Sequence, residues 1–152
     1  MIIFCDIDGV LNTSQSLSRS TPEKVYFDTQ AVANLNTLLI ATKASLVISS
    51  SWRLSLPENE ILEIFKQNGA RLVTYVGTTP ILPLGMRGEE ILLWLEEHHR
   101  EGEPYLVLDD ESGEINGKIP DLNFIHIDKG FDNEGFSQKY LQIALSRITY
   151  LL

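Results

Sequence analysis

The chain has 152 residues, with 21 acidic against 12 basic side chains and a formal net charge of −9. That length suits one domain, residues 1–152, with a substantial core. The acidity argues against an extensive nucleic-acid or anionic-membrane surface, while leaving room for a small basic site, and the single cysteine, Cys5, excludes an intrachain disulfide framework.

The first segment, IIFC (2–5), reads as a buried strand in which Cys5 packs. Asp6 and Asp8 interrupt any signal-like apolar region, and nowhere do about 18 apolar residues run together, so a cytoplasmic protein making no membrane contact is expected. The polar stretch 12–28 reads as a flap, too short for a folded cap. Asp28 caps a helix with Val32, Leu35, Leu38 and Leu39 inward, and SLVIS (45–49) is the second strand. Ser55, Pro57 and Glu58 open a helix with Ile61, Leu62 and Phe65 inward, stopped by Gly69. RLVTYV (71–76) is the third strand, followed by a Gly- and Pro-rich loop at 77–86. A helix with Ile91, Leu92 and Leu95 inward ends near Gly102. YLVL (105–108) and FIHI (124–127) are strands four and five, and Ser137 starts a closing helix. This β-α alternation predicts an α/β fold, a three-layer α/β/α sandwich around a parallel sheet of about five strands.

Open parallel sheets bind ligands beyond the carboxyl ends of their strands. Asp6 and Asp8 follow strand one, Ser49 to Arg53 follow strand two, and Asp109, Asp110, Glu111 and Ser112 follow strand four. Arg87, in GMRGEE, stands at the start of the helix feeding strand four. Two carboxylates about 4 Å apart repel by about 4 kcal/mol at an effective dielectric of about 20. Acids gathered at one rim therefore call for a counter-charge, and a divalent cation is the usual one. Hard oxygen donors beside hydroxyl, amide and guanidinium groups suit Mg²⁺ and a phosphoryl group together.

DIDGVLN (6–12) resembles the first motif of the haloacid-dehalogenase-like (HAD) superfamily of phosphohydrolases, an apolar strand followed by Asp-x-Asp-Gly-Val/Thr. ISSSWR (48–53) resembles the second motif, Arg87 stands where the third-motif Lys or Arg belongs, and VLDDE (107–111) resembles the double-acid fourth motif. SSWR and RGEEILLWL bring the chain closest to small capless HAD-like domains, some of them found beside RNA-repair modules.

The resemblance implies a Rossmann-like fold and a Mg²⁺-dependent phosphomonoesterase working through an aspartyl-phosphate. Asp6 would be the nucleophile and Asp8 the general acid and base, with Arg87 neutralising charge beside them. Ser50, or Ser49 in second place, would hydrogen-bond the phosphoryl group, and Gly9 would let the chain turn beside it. Asp6, Asp110 and the Asp8 backbone carbonyl would hold the metal, with Asp109 orienting the site or touching it through water. An open site implies a phosphorylated macromolecule or a nucleotide as partner, with nucleotide or polynucleotide-end phosphates favoured by the RNA-repair resemblance.

Blander roles compete. Trp52 reads as packing and Arg53 is divided between substrate contact and surface pairing; His98 and His99 suit a solvated helix end. His126 suits a sheet face, and Asp121, Asp128 and Asp132 suit loops. A receiver-like phospho-accepting module or a degenerate binding domain is the alternative from another class. A receiver accepts phosphate on an Asp after strand three, and no Asp follows strand three here.

Overall fold

The structure, a computed structural model, describes residues 1–130 and 133–152, so Asp132 lies outside the described residues. Five strands form one all-parallel sheet in the order β3-β2-β1-β4-β5: β1 (Ile2–Cys5), β2 (Ser45–Ile48), β3 (Tyr75–Thr78), β4 (Tyr105–Asp109) and β5 (Phe124–His126). β1 lies at the centre and every residue of it is buried, which is why its sequence is continuously apolar rather than alternating.

Side chains alternate across the sheet and split the core in two. Ile3, Cys5, Leu46, Ile48, Leu106 and Leu108 meet α2 (Thr29–Thr42), α3 (Glu58–Gln67) and α5 (Gln138–Leu151). Ile2, Phe4, Val47, Tyr105 and Val107 meet α4 (Arg87–Glu97) and the turn containing Ile115 and Ile119. The result is a Rossmann-like α/β/α sandwich, and among the described residues no cap domain is inserted into it. Trp94 anchors the α4 side, edge-on to Phe4 at 5.4 Å between ring centroids.

Local chemistry explains most element boundaries. The Asp28 carboxylate accepts from Ala31 N at 2.9 Å and starts α2; Lys43, at φ 54°, ends it. The α4 stripe is Ile91, Trp94 and Leu95, whereas Leu92, expected inward, is exposed. That helix stops at Glu97, short of the expected Gly102, and His99 turns left-handed at φ 53° just beyond.

Three expectations shift. Strand three occupies Tyr75–Thr78 instead of 71–76, because Tyr75 is the first residue there to pair with β2, and the pairing skips Val76 through a bulge. Leu72 packs on the core while Val73 is 80% exposed, so 71–74 is a docked lead-in. Pro57, not Ser55, is the N-cap of α3; Ser55 instead ends a 3₁₀ turn at Ser51–Leu54. Within the flap, a short helix α1 (Ser14–Ser18) forms because Thr13 and Ser16 make a reciprocal capping box. Among the described residues, no helix is long and apolar enough to cross a membrane.

Candidate active site

Strand register assembles the site. Cys5 pairs with Ile48 and with Leu108, and Ile48 pairs with Thr78. One residue further along, Thr79, Ser49, Asp6 and Asp109 therefore share a row across four neighbouring strand ends. Backbone bonds continue the ladder through it: Asp6 N donates to Leu108 O, Ser49 N to Cys5 O, and Thr79 N to Ile48 O. All four side chains are buried, and by alternation they point to the α4 side, like Phe4 and Val107. The row crosses the boundary between β1 and β4, the topological switch point beside which open α/β sheets bind their ligands.

Arg87 enters this row from the first turn of α4. Its Nη1 donates to Asp109 Oδ2 at 2.8 Å and lies 3.0 Å from Asp6 Oδ2. α4 approaches closely because residue 88 is glycine: a Cβ there would lie 2.8 Å from Lys118 Cβ. Burial works to lower the Arg87 pKa, but the Asp6 and Asp109 charges outweigh it, and the guanidinium stays protonated.

Asp6, Asp109 and Asp110 each bring a carboxylate oxygen within 4.8 Å of the others. Burial, then repulsion from Asp109, pushes the Asp6 carboxyl well above the ordinary range, against the pull of Arg87. Burial raises Asp109 to about 6, with Arg87 opposing it, and also raises Asp110. Burial is the main cause of all three shifts, and at Asp6 and Asp110 repulsion from neighbouring carboxylates adds to it. The all-oxygen donor set fits a hard divalent cation. Asp109 is engaged at both oxygens, by Arg87 at Oδ2 and by Glu111 N at Oδ1 (2.8 Å), whereas Asp6 meets Arg87 through Oδ2 alone. Gly9 makes room for Asp110: it sits at φ 74°, and a Cβ there would lie 2.3 Å from Asp110 Oδ2.

Asp8 is exposed, and its side chain is not part of that acid cluster. Its Oδ1 accepts from Asn12 Nδ2 at 2.8 Å and from Trp52 Nε1 at 3.0 Å. Asp8 lines a cleft of about 320 Å³ together with Asn12, Leu17, Lys129 and Asn133. A larger cavity, about 480 Å³, opens between Asp28, Glu134 and Ser137, none of which belongs to the acid cluster.

Residues 2–139 match a family model described as the HAD domain in Swiss Army Knife RNA repair proteins. The chain belongs to that family. Searches of curated proteins and of solved structures found no match.

In this HAD domain the serine run divides its work. Ser50 Oγ accepts from Trp52 N at 3.2 Å and caps the following 3₁₀ turn. Ser49 Oγ, in the row of Asp6, is buried without a hydrogen-bond partner among the described residues, as is Thr79 Oγ1. The Gly9 amide donates to Asn12 Oδ1 at 3.0 Å. The ion pair that Arg53 makes with Glu90 is buried, not on the surface. Arg53 also donates to Ser50 O (2.6 Å) and Pro80 O (3.2 Å), tying the second-motif turn to the loop before α4. Asp128 accepts from Gly130 N and shapes a loop, and His126 Nε2 lies 3.2 Å from Asp110 O. Cys5 packs in the core as expected, burial raising its thiol pKa. Sequence reasoning missed Thr79 and the Trp52–Asp8 bond. Thr79 signals itself only through register, and an indole N–H carries no sequence pattern.

Proposed function

We propose that this HAD domain is a Mg²⁺-dependent phosphomonoesterase working through an aspartyl-phosphate on Asp6. The observation that carries the reading is the meeting of Asp6, Asp109, Asp110 and Arg87 at one rim of the sheet. An Asp6 oxygen attacks phosphorus, the bond from phosphorus to the leaving oxygen breaks, and Asp8 delivers its proton to that oxygen. Water then attacks the phosphoryl group, Asp8 takes a water proton, and the bond to Asp6 breaks to release phosphate. Asp6, Asp110 and the Asp8 carbonyl would hold Mg²⁺, which when bound would supply charge neutralisation for the phosphoryl oxygens. Arg87 holds Asp6 and Asp109 together and adds a fixed positive charge beside the nucleophile. Asp109, already bonded to Arg87 and Glu111 N, orients the site.

Ser49 is the better phosphoryl-binding hydroxyl, because its Oγ is free while that of Ser50 caps a turn. The family description and the capless site favour nucleotide or polynucleotide-end phosphates as substrates. With a net charge of −9, only the end of a polynucleotide would be gripped.

Hydrolysis of p-nitrophenyl phosphate with and without Mg²⁺, by wild type and Asp6→Asn, tests the reading. Turnover should need both the metal and Asp6. An Asp6→Asn protein as fast as wild type would sink it, and stoichiometric phosphorylation without turnover would point to a receiver-like module. End-phosphorylated oligoribonucleotides should exceed sugar phosphates in kcat/KM.

A further inference from the structure

We propose that Trp52 is a positioning residue that fixes the carboxylate of Asp8, so that one oxygen alone, Oδ2, exchanges protons with the substrate. The proposal rests on the phosphomonoesterase reading and adds to it a residue with no assigned role. Trp52 Nε1 and Asn12 Nδ2 both donate to Asp8 Oδ1, at 3.0 and 2.8 Å. Asn12 cannot turn its amide around, because its Oδ1 is held by the Gly9 amide at 3.0 Å and the side chain is buried.

Trp52 is held at both ends. Ser50 Oγ accepts from its backbone N–H, and Leu56 N donates to its carbonyl at 2.9 Å. Its ring leans on Phe27 at 5.9 Å, and Phe27 in turn meets Phe65 edge-on at 5.3 Å. The indole N–H is therefore aimed from the hydrophobic core.

The chemical consequence follows from donor count. An indole N–H donates and never accepts, and an amide NH₂ does the same. Two such donors on Oδ1 leave no place for a proton there, so the acid carries its proton on Oδ2. Asp8 is exposed, and without this grip its carboxylate would rotate among several orientations, few of them productive. The same bond joins the second-motif turn, whose cap Ser50 directly follows Ser49, to the first-motif acid. Phosphoryl position and proton position are thus set by one rigid unit.

Trp52→Phe keeps a ring against Phe27 and removes the N–H. Its kcat/KM is compared with wild type on two esters of similar shape, phenyl phosphate and p-nitrophenyl phosphate. Nitrophenolate leaves without protonation, whereas phenolate needs the proton. The variant should lose about tenfold more on phenyl phosphate than on p-nitrophenyl phosphate. In an Asp8→Ala background the same substitution should cost nothing further on phenyl phosphate. Turnover of p-nitrophenyl phosphate shows in the same sample that the variant is folded.

Equal losses on the two esters, or an undiminished loss in the Asp8→Ala background, would overturn the role of Trp52. A variant inactive on both esters counts as an equal loss. Asp6→Asn separates this failure from a deeper one. If Asp6→Asn is inactive while Trp52→Phe shows no selectivity, only the positioning role falls; if Asp6→Asn retains turnover, the phosphatase reading falls and takes this proposal with it.

Discussion

Replacing Arg87 with methionine removes the cation between Asp6 and Asp109 while keeping much of the side chain's volume. In the wild type, Nη1 lies 3.0 Å from Asp6 Oδ2 and 2.8 Å from Asp109 Oδ2, with those residues only 3% and 0% exposed. Stripping one partner from a buried ion pair costs about 3–5 kcal/mol, because a charge is left buried and uncompensated. Carboxylates can escape that cost by taking up protons. Burial already raises Asp109 to about 6 and Asp6 well above the ordinary range, and Arg87 opposes both shifts. Without Arg87 both folded-state values climb further above the unfolded value of about 4. A carboxyl raised in the folded state keeps a proton that the unfolded chain has released, so stability falls as pH rises through the folded pKa. The metal-free wild type should therefore lose stability as pH climbs from about 4 through 6, and Arg87→Met should lose more over a wider range. The difference between the two proteins should be small at pH 4.5 and approach about 3–5 kcal/mol at pH 8. Urea unfolding in EDTA at both pH values measures it. An equal difference at the two values would refute the claim that Arg87 acts by compensating buried charge, and would leave it a packing residue.

Two further outcomes test the acid cluster directly. Mg²⁺ at about 100 times its dissociation constant should stabilise the fold by about 2.7 kcal/mol at pH 8 and by less at pH 5, where protons compete for Asp6, Asp109 and Asp110. Thermal melts check this, and an equal shift with NaCl at matched ionic strength would contradict a specific site. Gly9→Ala should cost about 1–2 kcal/mol for its left-handed backbone, and its Cβ would also displace Asp110 Oδ2, now 2.3 Å from that position. Mg²⁺ affinity should fall with it; titration calorimetry showing unchanged affinity would argue against Asp110 as a ligand.

The fold was legible because its signals are local. Continuous apolar runs mark β1 and β4 as strands buried on both faces, and Asp28 marks a helix start through its own carboxylate. Strand three was misplaced for the same reason. LVTYV is β-prone along its whole length, but only a neighbour decides which part pairs, and that neighbour is Leu46 to Ile48 across a bulge. Leu92 was misread because the α4 stripe has room for Trp94, one turn beyond Ile91, and the larger ring takes the core position.

The serine run shows where reading along the chain must give way to reading across it. Nothing local separates Ser49 from Ser50: both follow the same apolar strand, and both are buried. The distinction arises from β1, whose Cys5 pairs with Ile48 and so puts Ser49, not Ser50, beside Asp6. Pleating then turns the two hydroxyls to opposite faces. Ser50 finds the backbone N–H of Trp52, while Ser49 is left in the charged row with its hydroxyl unspent. A one-residue slip between β1 and β2 would exchange these roles and bring the cap into the site. The core forbids that slip, because it would move Leu46 and Ile48 off the α2 side and Val47 off the α4 side. The chemistry at the rim is thus specified by hydrophobic residues that never touch it.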